Sequence, residues 1–105
     1  MDLNLSITPN KENNSVEIIY SGNLTLETVI ELKEKIEPIY NKNSILKFEF
    51  IDVEEIDLSG IQMIYSLKKK NVTEQKNVQI HLEIANEMQN LLTRTGFTHL
   101  IENKF

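Results

Sequence analysis

Cysteine is missing from the 105 residues, so neither a disulfide framework nor a thiolate metal site can staple this chain. Glycine is scarce, and none of its three positions forms the rich loop that cradles a nucleotide phosphate. Any ATP involved would belong to a partner. Long apolar runs are lacking as well: nothing nears the roughly 20 residues that a membrane-spanning helix needs. The opening MDLNLSITPN has neither a basic leader nor an apolar core of the signal-peptide kind. A cytoplasmic protein without membrane insertion is the expectation. Basic residues are outnumbered, 11 Lys and Arg against 16 Asp and Glu, for a net charge of −5. That balance disfavours nucleic acid and anionic membrane as partners, and leaves a protein or peptide partner open. Repeats, linkers and low-complexity segments are absent. With 40% hydrophobic residues, the reading is one globular domain over residues 1–105, long enough to bury a core of its own.

What is present is ordered. Leu3, Leu5 and Ile7 alternate with polar residues, predicting a half-exposed strand over residues 3–8. A turn at 9–14 and a second alternation through Val16, Ile18 and Tyr20 predict a hairpin whose second strand runs Ser15 to Ser21 and ends at Gly22. A first helix follows from Thr25 or Leu26 to Tyr40, with Leu26, Val29, Ile30, Lys33, Ile36 and Tyr40 along one face and Pro38 near its end. Asn71 to Asn77 reads as a polar connection. Val78, Ile80, Leu82 and Ile84 then alternate as a fourth strand, with Gln79, His81 and Glu83 on its other face. Asn86 with Gln89 signals the start of a short third helix, and Gly96 is placed to close it in a left-handed conformation. Phe97, Leu100, Ile101 and Phe105 form an apolar tail expected to fold back on the core. The order β-β-α-β-α-β-α implies right-handed crossovers and a mainly parallel four-stranded sheet with an antiparallel hairpin at its start.

The stretch from Phe48 to Lys70 organises the rest. Ile45 to Ile51 is short, apolar and bounded by polar residues, as a central strand should be. Asp52, Glu54, Glu55 and Asp57 follow as an acidic loop. Ser59 and Gly60 then open a second helix with Ile61, Ile64, Tyr65 and Leu67 at helical spacing. Ser59 and Gln62 have the spacing of a capping box, and Lys68 to Lys70 complement the negative end of the helix dipole. A serine there has two readings. It can be a plain N-cap, or a phosphoacceptor whose phosphate meets the amides at a helix start.

The segment Asp57-Leu58-Ser59-Gly60-Ile61 resembles the Asp-Ser-Ser-Gly-Leu motif of the STAS domain, the family named for sulphate transporters and anti-sigma factor antagonists. Gly22-Asn23-Leu24 resembles that family's Gly-Glu-Leu, and Leu92-Thr93-Arg94-Thr95-Gly96-Phe97 resembles the segment closing its last helix. The resemblance implies a STAS-like α/β fold and a non-enzymatic function by partner switching. The serine before the glycine, Ser59 here, would be phosphorylated by a serine kinase that doubles as an anti-sigma factor. The phosphorylated form would release the kinase, and a phosphatase would reset the cycle. Partner binding is expected at Asp57, Leu58, Ser59, Gly60, Gln62 and Met63, with Asn23 and Thr25 beside the loop. Leu58 stands where the family has its first serine, and Thr25 where many members carry an aspartate. The alternative is a constitutive STAS scaffold in a chemotaxis, signalling or lipid-transport assembly, docking through the second helix without modification.

Other chemistries fit less well. Asp57 and Ile61 occupy both glycine positions of a nucleophile elbow, and neither His81 nor His99 is placed as a base for Ser59. The four carboxylates lack the calcium-loop pattern and read as a solvated loop, with Asp57 available to bond backbone amides. No catalytic residue, metal or cofactor is expected.

Overall fold

The alternating opening segments build the expected hairpin in the computed structural model, which describes residues 4–94 and 96. Strand β1 (Asn4–Asn10) pairs antiparallel with β2 (Ser15–Ser21). β1 runs two residues past the predicted end, through Pro9, which pairs with Val16. Proline has no N–H to offer a sheet, and an edge strand is where it is tolerated. Helix α1 (Leu26–Lys42), strand β3 (Ile45–Val53), helix α2 (Leu58–Thr73), strand β4 (Asn77–Ile84) and helix α3 (Asn86–Arg94) follow.

The strands lie in the order β1-β2-β3-β4, with β2, β3 and β4 parallel. Because the sheet grows in one direction, two right-handed crossovers put α1 and α2 on the same face. That face carries the core: Val16, Ile18 and Tyr20 from β2, Leu46, Phe48 and Phe50 from β3, and Val78, Ile80, Leu82 and Ile84 from β4. Tyr20 meets Phe50 edge-on, with ring centroids 6.5 Å apart. Among the described residues no element covers the opposite face, and exposed Glu17, Lys47 and Gln79 stand in register across it. His81 is on this side, facing away from the helix that carries Ser59.

Both crossover helices differ from their sequence reading in an informative way. The buried stripe of α1 is Val29, Leu32, Ile36 and Tyr40 together with Thr28, whereas Leu26, Ile30 and Lys33 are exposed. Two overlapping stripes were available, and the sheet selects the one containing Leu32. Helix α2 starts one residue before Ser59, extends to Thr73 and buries Lys68 to 4% exposure. Burial lowers the Lys68 pKa, since a desolvated ammonium is disfavoured. The cation serving the last turn is Lys70, which pairs with Glu74 at 3.1 Å. In α3, Asn86 is the first helical residue, and the Gln89 amide bonds the Ala85 carbonyl at 3.0 Å. Gly96 has the expected left-handed φ of +89°. The apolar tail at Phe97, Leu100, Ile101 and Phe105 lies outside the described residues, as does His99.

At the far end of α1, Tyr40 is held between two cations. The Lys70 and Lys76 ammonium groups each sit 4.2 Å from its ring centroid. Lys76 also donates to the Tyr40 and Asn43 carbonyls, capping the helix. The Tyr40 hydroxyl is buried, and its neighbour is the Glu74 carboxylate, at a geometry too poor for a full hydrogen bond. Burial, then the neighbouring Glu74 carboxylate, pushes its pKa up to about 12. An unfolded tyrosine loses its proton near pH 10. Between pH 10 and 12 the unfolded chain therefore binds fewer protons, and this contribution, complete below pH 10, is lost as pH rises. Tyr40→Phe should match wild type or exceed it by up to about 1 kcal/mol at pH 7, because it deletes a buried donor only poorly paired with Glu74. Its advantage should widen at pH 11, which thermal melts of both proteins at the two pH values will read; an unchanged gap would count against this account.

Candidate functional site

Two loops are zipped side by side where β2 and β3 leave the sheet. Leu24 donates its amide to the Glu55 carbonyl at 2.9 Å, and Asp57 donates its own to the Leu24 carbonyl at 3.1 Å. Between them Leu24 and Ile56 form a parallel bridge, and both side chains are buried. Asn23 secures the acidic loop, its Oδ1 accepting from the amides of Glu54 at 3.1 Å and Glu55 at 2.9 Å. The Asn23 carbonyl accepts in turn from the Tyr20 hydroxyl at 2.7 Å and Thr28 Oγ1 at 2.8 Å. Burial raises the Tyr20 pKa, keeping that phenol a donor. Asn23 is thus a fastener of the loop.

Asp57 joins the two helices. It is the N-cap of α2, with Oδ1 accepting from the Gly60 amide at 3.2 Å, while Oδ2 accepts from the Leu26 amide of α1 at 2.9 Å. One carboxylate therefore serves two helix starts, where the dipoles favour negative charge. The expected Ser59–Gln62 capping box is not used, because Asp57 reaches the first turn from outside the helix and takes its place. Thr25 is the N-cap of α1, with its amide donating to Thr28 Oγ1 at 3.1 Å. Removing the carboxylate in Asp57→Ala should cost about 2 kcal/mol, since it orphans a cap bond and a second amide. Asp57→Asn, still able to accept, should lose less than half of that in urea denaturation.

Gly60 is buried for a steric reason. An added Cβ would lie 2.8 Å from Leu24 Cβ and 2.8 Å from Ile56 Cγ1, and closer still to the Leu24 carbonyl oxygen. The glycine lets the first turn of α2 rest on the zipped loops. It does this from inside, and offers no surface itself. Met63 is also inside, at 2% exposure. The expectation of partner binding at Met63 is corrected there: α2 packs both on the sheet and against α1, so its buried stripe is wide enough to include Met63 with Ile64 and Leu67.

The surface at this end is made by other residues. Ser59 is half-buried in the first turn of α2, while Leu58 and Gln62 are exposed, Leu58 at 62%. Leu26 and Ile30, one turn apart on α1, are 57% and 52% exposed. The Asp57–Leu26 bond sets these leucines beside each other, giving an apolar patch next to Ser59. Leu58 is an expected partner-binding residue, whereas Leu26 and Ile30, read from spacing on one face with Val29 and Ile36, join it only because the structure leaves them exposed. Of the other expected acidic residues, Glu54 and Glu55 are exposed. Asp52 is the last residue but one of β3, at a break in the β3–β4 register, with φ at +53° and Oδ2 accepting from Ser21 Oγ at 3.0 Å. Among the described residues no cluster of three or more potential metal ligands occurs, and no helix is long and apolar enough to cross a membrane.

No family model and no curated protein sequence matches this chain. Solved structures do. The unphosphorylated form of the anti-sigma factor antagonist SpoIIAA superposes with a TM-score of 0.65 at 15% identity, over 95% of this chain and 85% of the other. The phosphorylated form of the Bacillus cell fate determinant SpoIIAA gives 0.60 at 16% identity, over 91% and 85%. The chain therefore shares the fold of SpoIIAA, the STAS-like α/β arrangement.

Proposed function

We propose that this chain is a non-enzymatic protein-binding domain of the anti-sigma factor antagonist type, switched by phosphorylation of Ser59. The observation that carries this reading is that the helix cap is Asp57. Ser59 is released from the structural role that would otherwise explain it. The amides of Gly60 and Ile61 are taken by the Asp57 side chain and carbonyl, whereas those of Leu58 and Ser59 have no acceptor among the described residues. These two amides could receive a phosphate at the positive end of α2. The likeness to SpoIIAA in both unphosphorylated and phosphorylated forms supports the same reading.

The switch follows from charge. The patch of Leu26, Ile30 and Leu58 suits an apolar contact from a partner, a serine kinase of the anti-sigma type. A phosphate on Ser59 adds about −1.5 to −2 charges at neutral pH, beside a carboxylate and at the border of that patch. Docking an apolar surface there would then bury a charge without a counterion. A phosphatase would restore binding. A pull-down from native lysate with wild type, Ser59→Ala and Ser59→Asp, read by mass spectrometry, tests this. The kinase should be recovered by wild type and alanine and lost with aspartate, with phosphate found on wild-type Ser59. Equal recovery of one transport or signalling component by all three, without phosphate, would replace the switch by a constitutive scaffold.

A further inference from the structure

Strand β1 is an open edge of the sheet, and nothing among the described residues pairs with its outer side. Which of its groups point outward follows from the strand beside it. At the two ends of β2, the Asn14 carbonyl accepts from Ile45 at 3.2 Å and the Gly22 amide donates to Ile51 at 3.1 Å, both in β3. Backbone direction alternates along a strand, so Val16, Ile18 and Tyr20 also bond toward β3. Their partners on β1 are Pro9, Ile7 and Leu5, which therefore turn their backbone groups outward. The edge offers the carbonyls of all of these and the amides of Leu5 and Ile7, proline having none.

The side chains of these β1 residues face the helix layer, as those of their β2 partners do. Between them and α1 lies an apolar groove of about 480 Å³, lined by Ile7, Pro9, Val16 and Ile39. Ile7 is 37% exposed in it. Charge marks one end of the groove. Lys11 and Lys42 line it there with Asn14 and Asn43, and no carboxylate does. Neither lysine makes an ion pair among the described residues. The hairpin acids Glu12 and Glu17 line the hollow on its opposite face, which Lys11 and Lys47 also border. Glu31 lies toward the other end of α1, where its charge acts on Tyr20. A chain docked here is therefore best acidic at the Lys11 end and apolar beyond it.

We infer that β1 accepts a further strand: an extended apolar segment of a partner protein, running antiparallel, with a carboxylate beside Lys11 and Lys42. The residues bonded to Ile7 and Pro9 place their side chains in the groove, so one strand satisfies the edge and covers the apolar surface together. The groove lies where β2 begins, whereas Ser59 follows the end of β3, so this site is independent of Ser59.

The probe is the peptide acetyl-Glu-Thr-Val-Thr-Val-Thr-Val-amide, titrated into the ¹⁵N-labelled full chain. Its valines would stand opposite Pro9, Ile7 and Leu5, with the glutamate at the lysines. Amide shifts should change over residues 5–11 and 39–43. Methylating the nitrogen of the middle valine removes a ladder bond and should weaken binding about tenfold. Lysine in place of the peptide's glutamate should weaken it about threefold, and Lys42→Glu, at an exposed position, should reverse that preference. Equal affinity of the methylated peptide would overturn the inference, as would a charge preference unmoved by Lys42→Glu. So would the absence of shifts on β1, or the same shifts on concentrating the chain without peptide, which would give the edge to a second copy.

Discussion

Gly60→Ala should destabilise the protein by about 3 kcal/mol and lower its melting temperature by on the order of 15 °C. The sign is what makes the experiment sharp. In an ordinary exposed helical position, exchanging glycine for alanine gains about 1 kcal/mol, because alanine loses less backbone entropy. Here the methyl would meet the Leu24 carbonyl oxygen and, at 2.8 Å, the Leu24 and Ile56 side chains. None of these can swing aside. The Leu24 backbone is held on both sides, by Glu55 and by Asp57, and Leu24 itself is fully buried. The helix start must move instead. Movement there lengthens the bonds from Asp57 to Gly60 and Leu26, so the two helix ends that carry Leu26, Leu58 and Ser59 would lose their common anchor. Thermal and urea unfolding of the variant reads the cost directly. A variant as stable as wild type would mean that the loops and α2 are not in close contact.

The fold was legible because its signals are local. Period-two alternation marked β2 and β4 almost to the residue, and the acidic break after Ile51 with Gly60 marked the return into α2. Side-chain positions within α1 were harder to read. Leu26, Ile30 and Leu32 are equally apolar, and only the sheet beneath decides that Leu32 is buried while the other two stay outside. The same applies to Met63, which lies off the stripe expected from spacing but inside the width that α1 and the sheet jointly cover. The cap at α2 was ambiguous for a chemical reason. Aspartate and serine both cap helices well, and Asp57 stands two residues before Ser59. What separates them is the second bond of Asp57, to Leu26, which is 31 residues away in sequence and has no local signature. Asn23 likewise acts at a distance of 31 and 32 residues. The candidate site is thus made by long-range bonds between two loops, and the motif around Ser59 shows only half of it.

Leu58 and Met63 sit five residues apart on α2 and should respond to substitution in opposite ways. Met63→Ala should lose about 2–5 kcal/mol, the range for truncating a buried side chain that leaves a cavity. Leu58→Asp should stay within about 0.5 kcal/mol of wild type, since its side chain is 62% exposed and contributes little to the core. Urea denaturation separates the two. Binding should reverse the ranking. On the proposed reading Leu58 supplies apolar contact beside Ser59, and a charge there imitates part of what phosphate would do. Affinity for the kinase should drop about 30-fold or more, the loss of an interface residue worth about 2 kcal/mol. At temperatures well below its melting point, Met63→Ala should bind nearly as wild type does, because Met63 is buried and takes no part in the Leu26–Leu58 patch. If instead Met63→Ala abolished binding while fully folded and Leu58→Asp left it intact, the partner surface would not be the Leu26–Leu58 patch. The Ser59 switch would then have no apolar contact to break.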